Sequence, residues 1–226
     1  MDGGYHLTFW PVLQRWPLLL DGLWVSLLLT VVGVALGTAI GIAGALGRTS
    51  RHAALRWALR AYVELFRNTP LLVQLFLVFF GLPSLGIRLS PVMAACVTLV
   101  LNNGAYTTEI VRVGIAATPL GQIEAAMSLA LKPWQILAFI VIPPALERVY
   151  PTLVSQNVLL MLSTSVTSAI GVQELTGSAA AINSDTFRSL EVFLTSAAIY
   201  LLLTYVQRAV LFAAELVLFP HRRARA

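Results

Sequence analysis

The stretch LLLDGLWVSLLLTVVGVALGTAIGIAGAL, residues 18–46, carries a single charged residue and is long enough to cross a lipid bilayer. A membrane-spanning helix needs about 20 predominantly apolar residues. Four further stretches of this kind follow at about 69–86, 90–113, 151–170 and 192–219. The sequence therefore predicts an all-α polytopic membrane protein with five transmembrane helices. Composition agrees, since 58% of the 226 residues are hydrophobic, and a soluble domain of that size could not bury so much apolar surface.

The lysines and arginines indicate how these helices are oriented. If the N-terminus lies outside, only Arg15, Arg88 and Arg188 fall on the outer side, and the other 12 of the 15 basic residues face the cytoplasm. Because short cytoplasmic loops carry an excess of Lys and Arg, we expect the N-terminus outside and the basic C-terminal end at 222–225 inside. This topology also accounts for the formal net charge of +5 without a nucleic-acid partner.

We expect one transmembrane domain over residues 1–226, in which a cytoplasmic loop at about 114–150 joins the third and fourth helices. In the first helix, Gly33, Gly37 and Gly41 form two overlapping GxxxG patterns. Small residues at this spacing let helix backbones approach closely in a membrane. The sequence leaves open whether they pack against another helix of the same chain or against a second copy.

Several kinds of chemistry are missing from the sequence. It has no GxxxxGK[ST] phosphate-binding loop, no nucleophile elbow and no HExxH helix, and its three histidines are far apart. We therefore expect no catalytic residue, no metal site and no cofactor on this chain. Glu109 is the only acid near the centre of a predicted span. Arg112 lies three residues further on, a spacing that allows an ion pair and does not favour proton coupling.

The segment GQIEAAMSLALKPW, residues 121–134, lies between two apolar stretches on the predicted cytoplasmic side. Pro119 suits the first turn of a helix, Ala125 and Ala126 favour helix, and Pro133 ends it. The sequence thus predicts a short helix of about ten to twelve residues, which is marginal alone in water and needs a surface to dock on. That surface is either a partner protein or the membrane itself, as for an interfacial amphipathic helix.

Three motifs carry a resemblance to a known family. The run EAA at 124–126, followed by a small residue at 130 and by IVIP at 140–143, resembles the EAA motif of permease subunits of bacterial ABC importers. The stretches ELFRNTPLLVQLF (64–76) and IGVQELTG (170–177) are similar to the permeases for polar amino acids. That group transports histidine, glutamine, glutamate, arginine or opines and has a MetI-like fold.

This resemblance implies an inner-membrane subunit that pairs with a second permease, identical or homologous, in an amino-acid importer. Two ATPase subunits, which bind ATP and Mg, and an extracytoplasmic amino-acid-binding protein would be its other partners. The helix at 119–130 would be the coupling helix that docks on the ATPase. The residues implied in that contact are Gly121, Glu124, Ala125, Ala126 and Ala130, the last at a position where the family usually has glycine. The alternative is a stand-alone secondary transporter or channel driven by an ion gradient.

The resemblance also implies an amino-acid path through the bundle. Polar side chains at membrane depth are costly unless they are paired or face water. The candidates to line the path are therefore the polar residues of the third and fourth spans: Asn102, Asn103, Thr107, Gln156, Ser163, Thr164 and Ser165. Hydrogen bonding between helices is the alternative role for each. Relatives commonly read LKDTS where this chain reads MLSTS at 161–165. Because a serine replaces the aspartate, we expect no path dedicated to arginine or lysine.

Charged residues near predicted helix ends are candidates for a gate or for contact with a partner subunit: Glu64, Arg67, Glu109, Arg112 and Glu174. For Glu64 and Arg67 the alternative role is topology and helix capping. Glu174 should lie at the outer mouth of the bundle, within reach of a docked binding protein.

Overall fold

The computed structural model describes residues 6–220, so the arginines at 222–225 that contribute to the predicted cytoplasmic charge lie outside the described residues. Within residues 6–220 every regular element is helical, which confirms the predicted all-α fold. The α-helices in chain order are α1 (Trp10–Leu13), α2 (Trp16–Gly47), α3 (Ala53–Arg67), α4 (Leu71–Phe76), α5 (Pro91–Ala116), α6 (Leu120–Ser128), α7 (Pro133–Gln135), α8 (Ile142–Ser163), α9 (Leu175–Thr186) and α10 (Ser189–Leu218). Turns of π-helix lie at Leu77–Gly81 and Ile136–Val141, and turns of 3-10 helix at Leu82–Leu85 and Thr164–Ile170.

Among the described residues, three helical runs are long and apolar enough to cross a bilayer: Trp16–Gly47, Pro133–Ile170 and Ser189–Leu218. A fourth span results if α3 and the run Leu71–Leu85, which meet at 109°, are counted as one broken span. At 26 residues α5 is about 39 Å long, but polar residues in its middle make it less apolar than the other runs. The number of five transmembrane helices therefore stays a prediction.

The run that contains the predicted fourth span begins earlier than the sequence suggested. Helix continues from Pro133 to Ile170, so the second half of the predicted loop at 114–150 is helical. Pro143 and Pro144 lie in the first turn of α8, and the π-helical turn Ile136–Val141 comes immediately before them. Prolines lack an N–H, and a wider turn is one way in which a helix accommodates the hydrogen bonds they remove.

Three glycines of α2 lie against α5, namely Gly37, Gly41 and Gly44, and this pair of helices forms the centre of the bundle. A methyl group built on Gly41 would lie 2.4 Å from Cβ of Thr107, and one on Gly37 would lie 2.8 Å from Cβ of Asn103. Such distances are shorter than a van der Waals contact, so the two backbones touch because these positions have no side chain. Packing within one chain, rather than contact with a second copy, is therefore the role of these two glycines.

Helix α3 is amphipathic and lies across the direction of the helix that follows it. Its apolar side chains pack toward α5, where Tyr62 donates a hydrogen bond to the carbonyl of Leu101 at 2.6 Å. Its arginines occupy another face, and Trp57 is 73% exposed. An amphipathic helix with Arg on one side and an exposed Trp is typical of the membrane–water interface. The predicted second span begins at residue 69, so the sequence does not predict this helix.

Substituting Gly41 by alanine is expected to lower the free energy of unfolding by about 1–3 kcal/mol, because the added methyl group overpacks the contact with Thr107. Thermal unfolding of the purified chain in detergent measures the effect. The matched control is Gly81→Ala, since a methyl group at Gly81 would have no neighbour within 4 Å. Equal melting temperatures for the two variants would contradict the proposed close approach of α2 and α5.

Candidate functional site

The segment predicted to couple to a partner forms α6, which at nine residues is shorter than expected. Its packing contacts are made by the partly buried Ile123 and by Ala126, which is 3% exposed and packs against Ile136 and Val141. The other residues implied in ATPase contact are exposed: Gly121, Glu124, Ala125 and Ala130. The side chain of Ala126 anchors α6 to the helical run at 133–170, and contact of these five residues with the ATPase stays a prediction.

Large apolar side chains on and beside α6 are exposed: Leu120, Met127, Leu129 and Trp134. Exposed apolar side chains that cluster on one surface mark a place where another molecule binds. Two charged side chains of the same segment, Glu124 and Lys132, are exposed as well. The segment thus exposes both apolar and charged side chains, as protein interfaces commonly do.

The end of α6 is a Schellman motif with an unusual residue in it. The N–H of Leu131 bonds to the carbonyl of Ala126 at 3.2 Å and the N–H of Ala130 bonds to the carbonyl of Met127 at 2.9 Å. Such a motif requires a left-handed residue, usually glycine. Ala130 occupies this position with φ of 56°. The alanine at a site where the family usually has glycine is therefore strained, in addition to being less flexible.

Three of the residues predicted to line a substrate path are fully buried: Asn103, Thr107 and Thr164. Asn103 and Thr107 lie one turn apart on the face of α5 that packs against the glycines of α2, and the amide of Asn103 donates to the carbonyl of Gly33 at 3.3 Å. The hydroxyl of Thr164 donates to the carbonyl of Met161. Contact between and within helices accounts for part of this polarity, but Oδ1 of Asn103 and Oγ1 of Thr107 are buried without a hydrogen-bond partner among the described residues. The assignment of these three residues to the path stays a prediction.

The other predicted path residues keep part of their surface accessible: Asn102, Gln156, Ser163 and Ser165. The hydroxyls of Ser163 and Ser165 both donate to carbonyls of their own helix at 2.7 Å. Each oxygen still has lone pairs that can accept a hydrogen bond from an ammonium group. These four residues remain candidates for contact with a substrate.

Four of the predicted gate residues come together around one network of charges. Arg112 donates to both carboxylate oxygens of Glu109, at 2.9 and 2.5 Å. Arg48, which follows the last residue of α2, lies 3.8 Å from the same carboxylate. Arg67 lies over the ring of Tyr106, with 5.5 Å from its guanidinium carbon to the ring centroid, a cation–π contact.

The second acid of this network is on α3. Glu64 accepts a hydrogen bond from Arg60 at 2.8 Å, a pair four residues apart that is largely exposed. Exposed pairs of this kind contribute little to stability. The arrangement brings Glu64, Arg67, Glu109 and Arg112 to one cavity, together with two arginines that the sequence analysis had not selected: Arg48 and Arg60.

Glu174, predicted at the outer mouth as a gate or partner contact, is enclosed by side chains and backbone of its own chain, and that role stays a prediction. Its side chain is fully buried. The carboxylate accepts hydrogen bonds from the N–H groups of Thr176 and Gly177, both at 2.9 Å, and from the hydroxyls of Tyr200 at 2.8 Å and Ser26 at 3.3 Å. Burial raises the pKa of this carboxyl above its ordinary value, against the effect of the hydrogen bonds. Glu174 thus caps α9 and ties it to α2 and α10.

Comparison with known proteins identifies the family. The model of the family described as binding-protein-dependent transport system inner membrane component matches residues 17–215. The chain belongs to this family. Among similar members, the octopine transport system permease protein OccM of Rhizobium radiobacter is 37% identical over 219 residues, which cover 93% of this chain and 89% of OccM. The glutamine transport system permease protein GlnP of Escherichia coli K12 is 34% identical over 206 residues, covering 88% and 90%.

Solved structures agree with this assignment. An amino acid ABC transporter crystallised with histidines is 33% identical, covers 93% of this chain and 99% of its own, and superposes with a TM-score of 0.86. The MetNI methionine ABC transporter in an inward-facing form gives a TM-score of 0.74 at 22% identity, with coverage of 89% and 96%. The first supports the family, and the second shows that the fold is MetI-like.

Gln74 is a residue of this permease that sequence reasoning missed. Its amide nitrogen donates to the carbonyls of Phe66 and Thr69, at 2.8 and 2.9 Å, and its amide oxygen accepts from Asn102 at 3.0 Å. It thereby satisfies carbonyls freed at the bend between α3 and α4. Backbone carbonyls need such partners wherever lipid leaves no water to bond them. The sequence signal for its role is that Gln74 is the single polar side chain in the apolar run PLLVQLFLVFF at 70–80.

Replacing Ala130 by glycine is expected to stabilise the end of α6 by about 1 kcal/mol, since glycine adopts the left-handed conformation without the penalty that a Cβ brings. Hydrogen exchange of the amides at 120–131, followed by mass spectrometry, should become slower. The control is Ala125→Gly, which places glycine inside the helix. This change should destabilise α6 by a similar free energy, and its amides should exchange faster. Faster exchange in the Ala130 variant would contradict the strain assigned to this residue.

Proposed function

We propose that this chain is the membrane-spanning subunit of an ATP-driven importer of amino acids. It pairs with a second permease, identical or homologous, and it is driven by two ATPase subunits that bind ATP and Mg. An extracytoplasmic binding protein delivers the substrate. The proposal includes five transmembrane helices, an outer N-terminus and a cytoplasmic C-terminus. The observation that carries it is the exposed EAA helix α6, which has an apolar surface and is attached to the bundle through Ala126.

The attachment of α6 supports a mechanical role. Ala126 packs into the π-helical turn Ile136–Val141, and that turn continues without a break into α8 and its serine-rich end at 163–168. A partner that moves α6 would therefore move the base of the helix whose other end carries the candidate path residues. Transmission through one rigid element explains how a distant ATPase could bias the path between two arrangements.

The alternative of a stand-alone transporter is less well supported by the charges. An ion-coupled carrier usually places an ionisable group near the middle of the membrane, where it can take up and release the ion. Glu109, the candidate acid, accepts hydrogen bonds from two nitrogens of Arg112 and lies 3.8 Å from Arg48. A carboxylate in such a pair holds its negative charge firmly, which suits a structural or gating role better than proton binding.

We propose a substrate with a neutral side chain as the first candidate. The octopine and glutamine permeases named above indicate amino acids or their derivatives as the class. Ser163 stands where relatives commonly carry aspartate, and its neighbour Leu162 is exposed. A path without this carboxylate lacks the group that would pair with a cationic side chain.

Charge reversal at Glu124, written Glu124→Arg, is expected to lower ATP-driven uptake at least tenfold in the reconstituted importer. The reason is that an exposed acid on α6 would face the ATPase, and reversal introduces repulsion at the interface. Co-purification of the ATPase with the variant measures the contact directly. Asp21→Arg reverses another exposed acid, far from α6 in sequence, and should leave both quantities unchanged.

Two results would overturn the proposed function. One is that uptake and ATPase binding are undiminished both in the Glu124 variant and in a second variant that removes the exposed apolar residues Leu120 and Leu129. The other is ion-gradient-driven uptake by the lone chain in liposomes, which would establish the stand-alone alternative.

The substrate proposal has its own test. Ser163→Asp restores a carboxylate and is expected to raise the ratio of arginine to glutamine uptake about tenfold, since one favourable charge pair contributes about 1.4 kcal/mol to discrimination. Ser155→Asp adds the same charge on an exposed part of the same helix and should not change the ratio. Uptake confined to arginine in the unaltered protein would refute the proposal of a neutral substrate.

A further inference from the structure

A cavity of about 250 Å³ lies between the end of α2, one face of α3 and α5. Its charged side chains are four arginines and two glutamates: Arg48, Arg60, Arg67, Arg112, Glu64 and Glu109. The arginines exceed the glutamates by two, so the cavity carries a net positive charge. Arg48 and Arg112 are partly buried. Charge that is removed from water is costly unless it is paired, so an anion from outside the chain would balance the excess.

Two of these arginines have donors available for such an anion. Arg112 and Arg60 are hydrogen-bonded to Glu109 and Glu64 respectively. In contrast, Arg48 approaches Glu109 only to 3.8 Å. Arg67 has its guanidinium over an aromatic ring and forms no ion pair within 4 Å inside residues 6–220. A guanidinium offers five N–H donors in a planar fork, so most donors of these two arginines face the cavity without a carboxylate.

The cavity lies beside α3, the helix that has the features of a membrane-surface element. Arg60 and Arg67 belong to α3, and Trp57, one turn before Arg60, is exposed. Trp side chains concentrate at the level of lipid headgroups. The axis of α3 makes an angle of 109° with the apolar helix that follows, so α3 lies near the bilayer plane if that helix crosses the membrane. The cavity then opens at the depth of the headgroup phosphates.

We propose that this cavity binds the phosphate group of an anionic phospholipid. The planar fork of arginine matches phosphate oxygens in pairs, and basic pockets between transmembrane helices on the cytoplasmic side are suited to acidic headgroups. A free phosphate ion presents the same oxygens, and its position would not depend on α3 lying at the membrane. The lipid is the source that the placement of α3 favours.

The test measures binding of fluorescent phosphatidylglycerol to the full-length chain in neutral detergent. Unlabelled phosphatidylglycerol, phosphatidylcholine and inorganic phosphate serve as competitors in separate arms. Competition by phosphatidylglycerol, with neither other arm effective in the same concentration range, supports the lipid source. Equal competition by inorganic phosphate supports phosphate binding and assigns the source to the free ion. Equal competition by phosphatidylcholine would overturn the proposal, because acyl chains alone would then explain binding.

Variants locate the binding in the cavity. The double variant Arg48→Gln and Arg67→Gln should bind phosphatidylglycerol about 25-fold more weakly, roughly fivefold for each arginine near a membrane surface. The matched control removes two exposed arginines outside the cavity, Arg51→Gln and Arg208→Gln. An equal loss in both double variants would mean that diffuse surface charge attracts the lipid, and the proposal would fail.

A third variant keeps the test decisive if loss of the two arginines prevents folding. Glu64→Gln removes an exposed carboxylate from the cavity rim and raises its positive excess from two charges to three. Binding of phosphatidylglycerol should then tighten about fivefold. Unchanged or weaker binding by this variant would overturn the proposal, since no electrostatic site for an anion could respond in that way.

Discussion

The close approach of α2 to α5 is the contact on which the rest of the bundle depends. In a membrane, lipid tails are as apolar as the side chains, so helices associate through van der Waals packing and hydrogen bonds rather than through the hydrophobic effect. Gly37 and Gly41 supply that packing by letting the backbone of α5 come within contact distance. With α5 fixed, two further residues on it carry the other features: Asn102 bonds to Gln74 in α4, just after the bend, and Glu109 lies 3.8 Å from Arg48 at the end of α2.

Much of this architecture follows from the sequence because the bilayer restricts the choices. An apolar run of sufficient length has to be helical there, since every backbone group needs a partner within its own segment. The positions of α2, α5 and α10 were therefore predictable to within a few residues. The extension of helix back to Pro133 was not, because a pair of prolines reads as an interruption. The π-helical turn Ile136–Val141 supplies the geometry that propensity alone does not foresee.

The candidate site was predicted less completely, and particular residues show why. Spacing tells which residues share a face of a helix, so the pairing of Glu109 with Arg112 was foreseeable. It does not tell which helix that face meets. Spacing therefore does not predict that Asn103 and Thr107 face α2, or that four donors enclose the carboxylate of Glu174. The sequence does not predict α3 as a membrane element, because Arg56, Arg60 and Arg67 leave no apolar run in it that is long enough to suggest a span.

The same contacts explain why one chain of this family depends on other subunits. The five residues implied in ATPase contact all lie within the described part of the chain. Among them only Ala126 is buried. It buries little surface, since alanine contributes one methyl group. Leu120 and Leu129 remain in solvent, and a nine-residue helix with few buried contacts lies at the low-stability end of a protein. A partner that covers those leucines would stabilise α6 and grip it at the same time, so binding and force transmission use one surface. A lone chain therefore has a helix that is attached to the bundle but held from only one side.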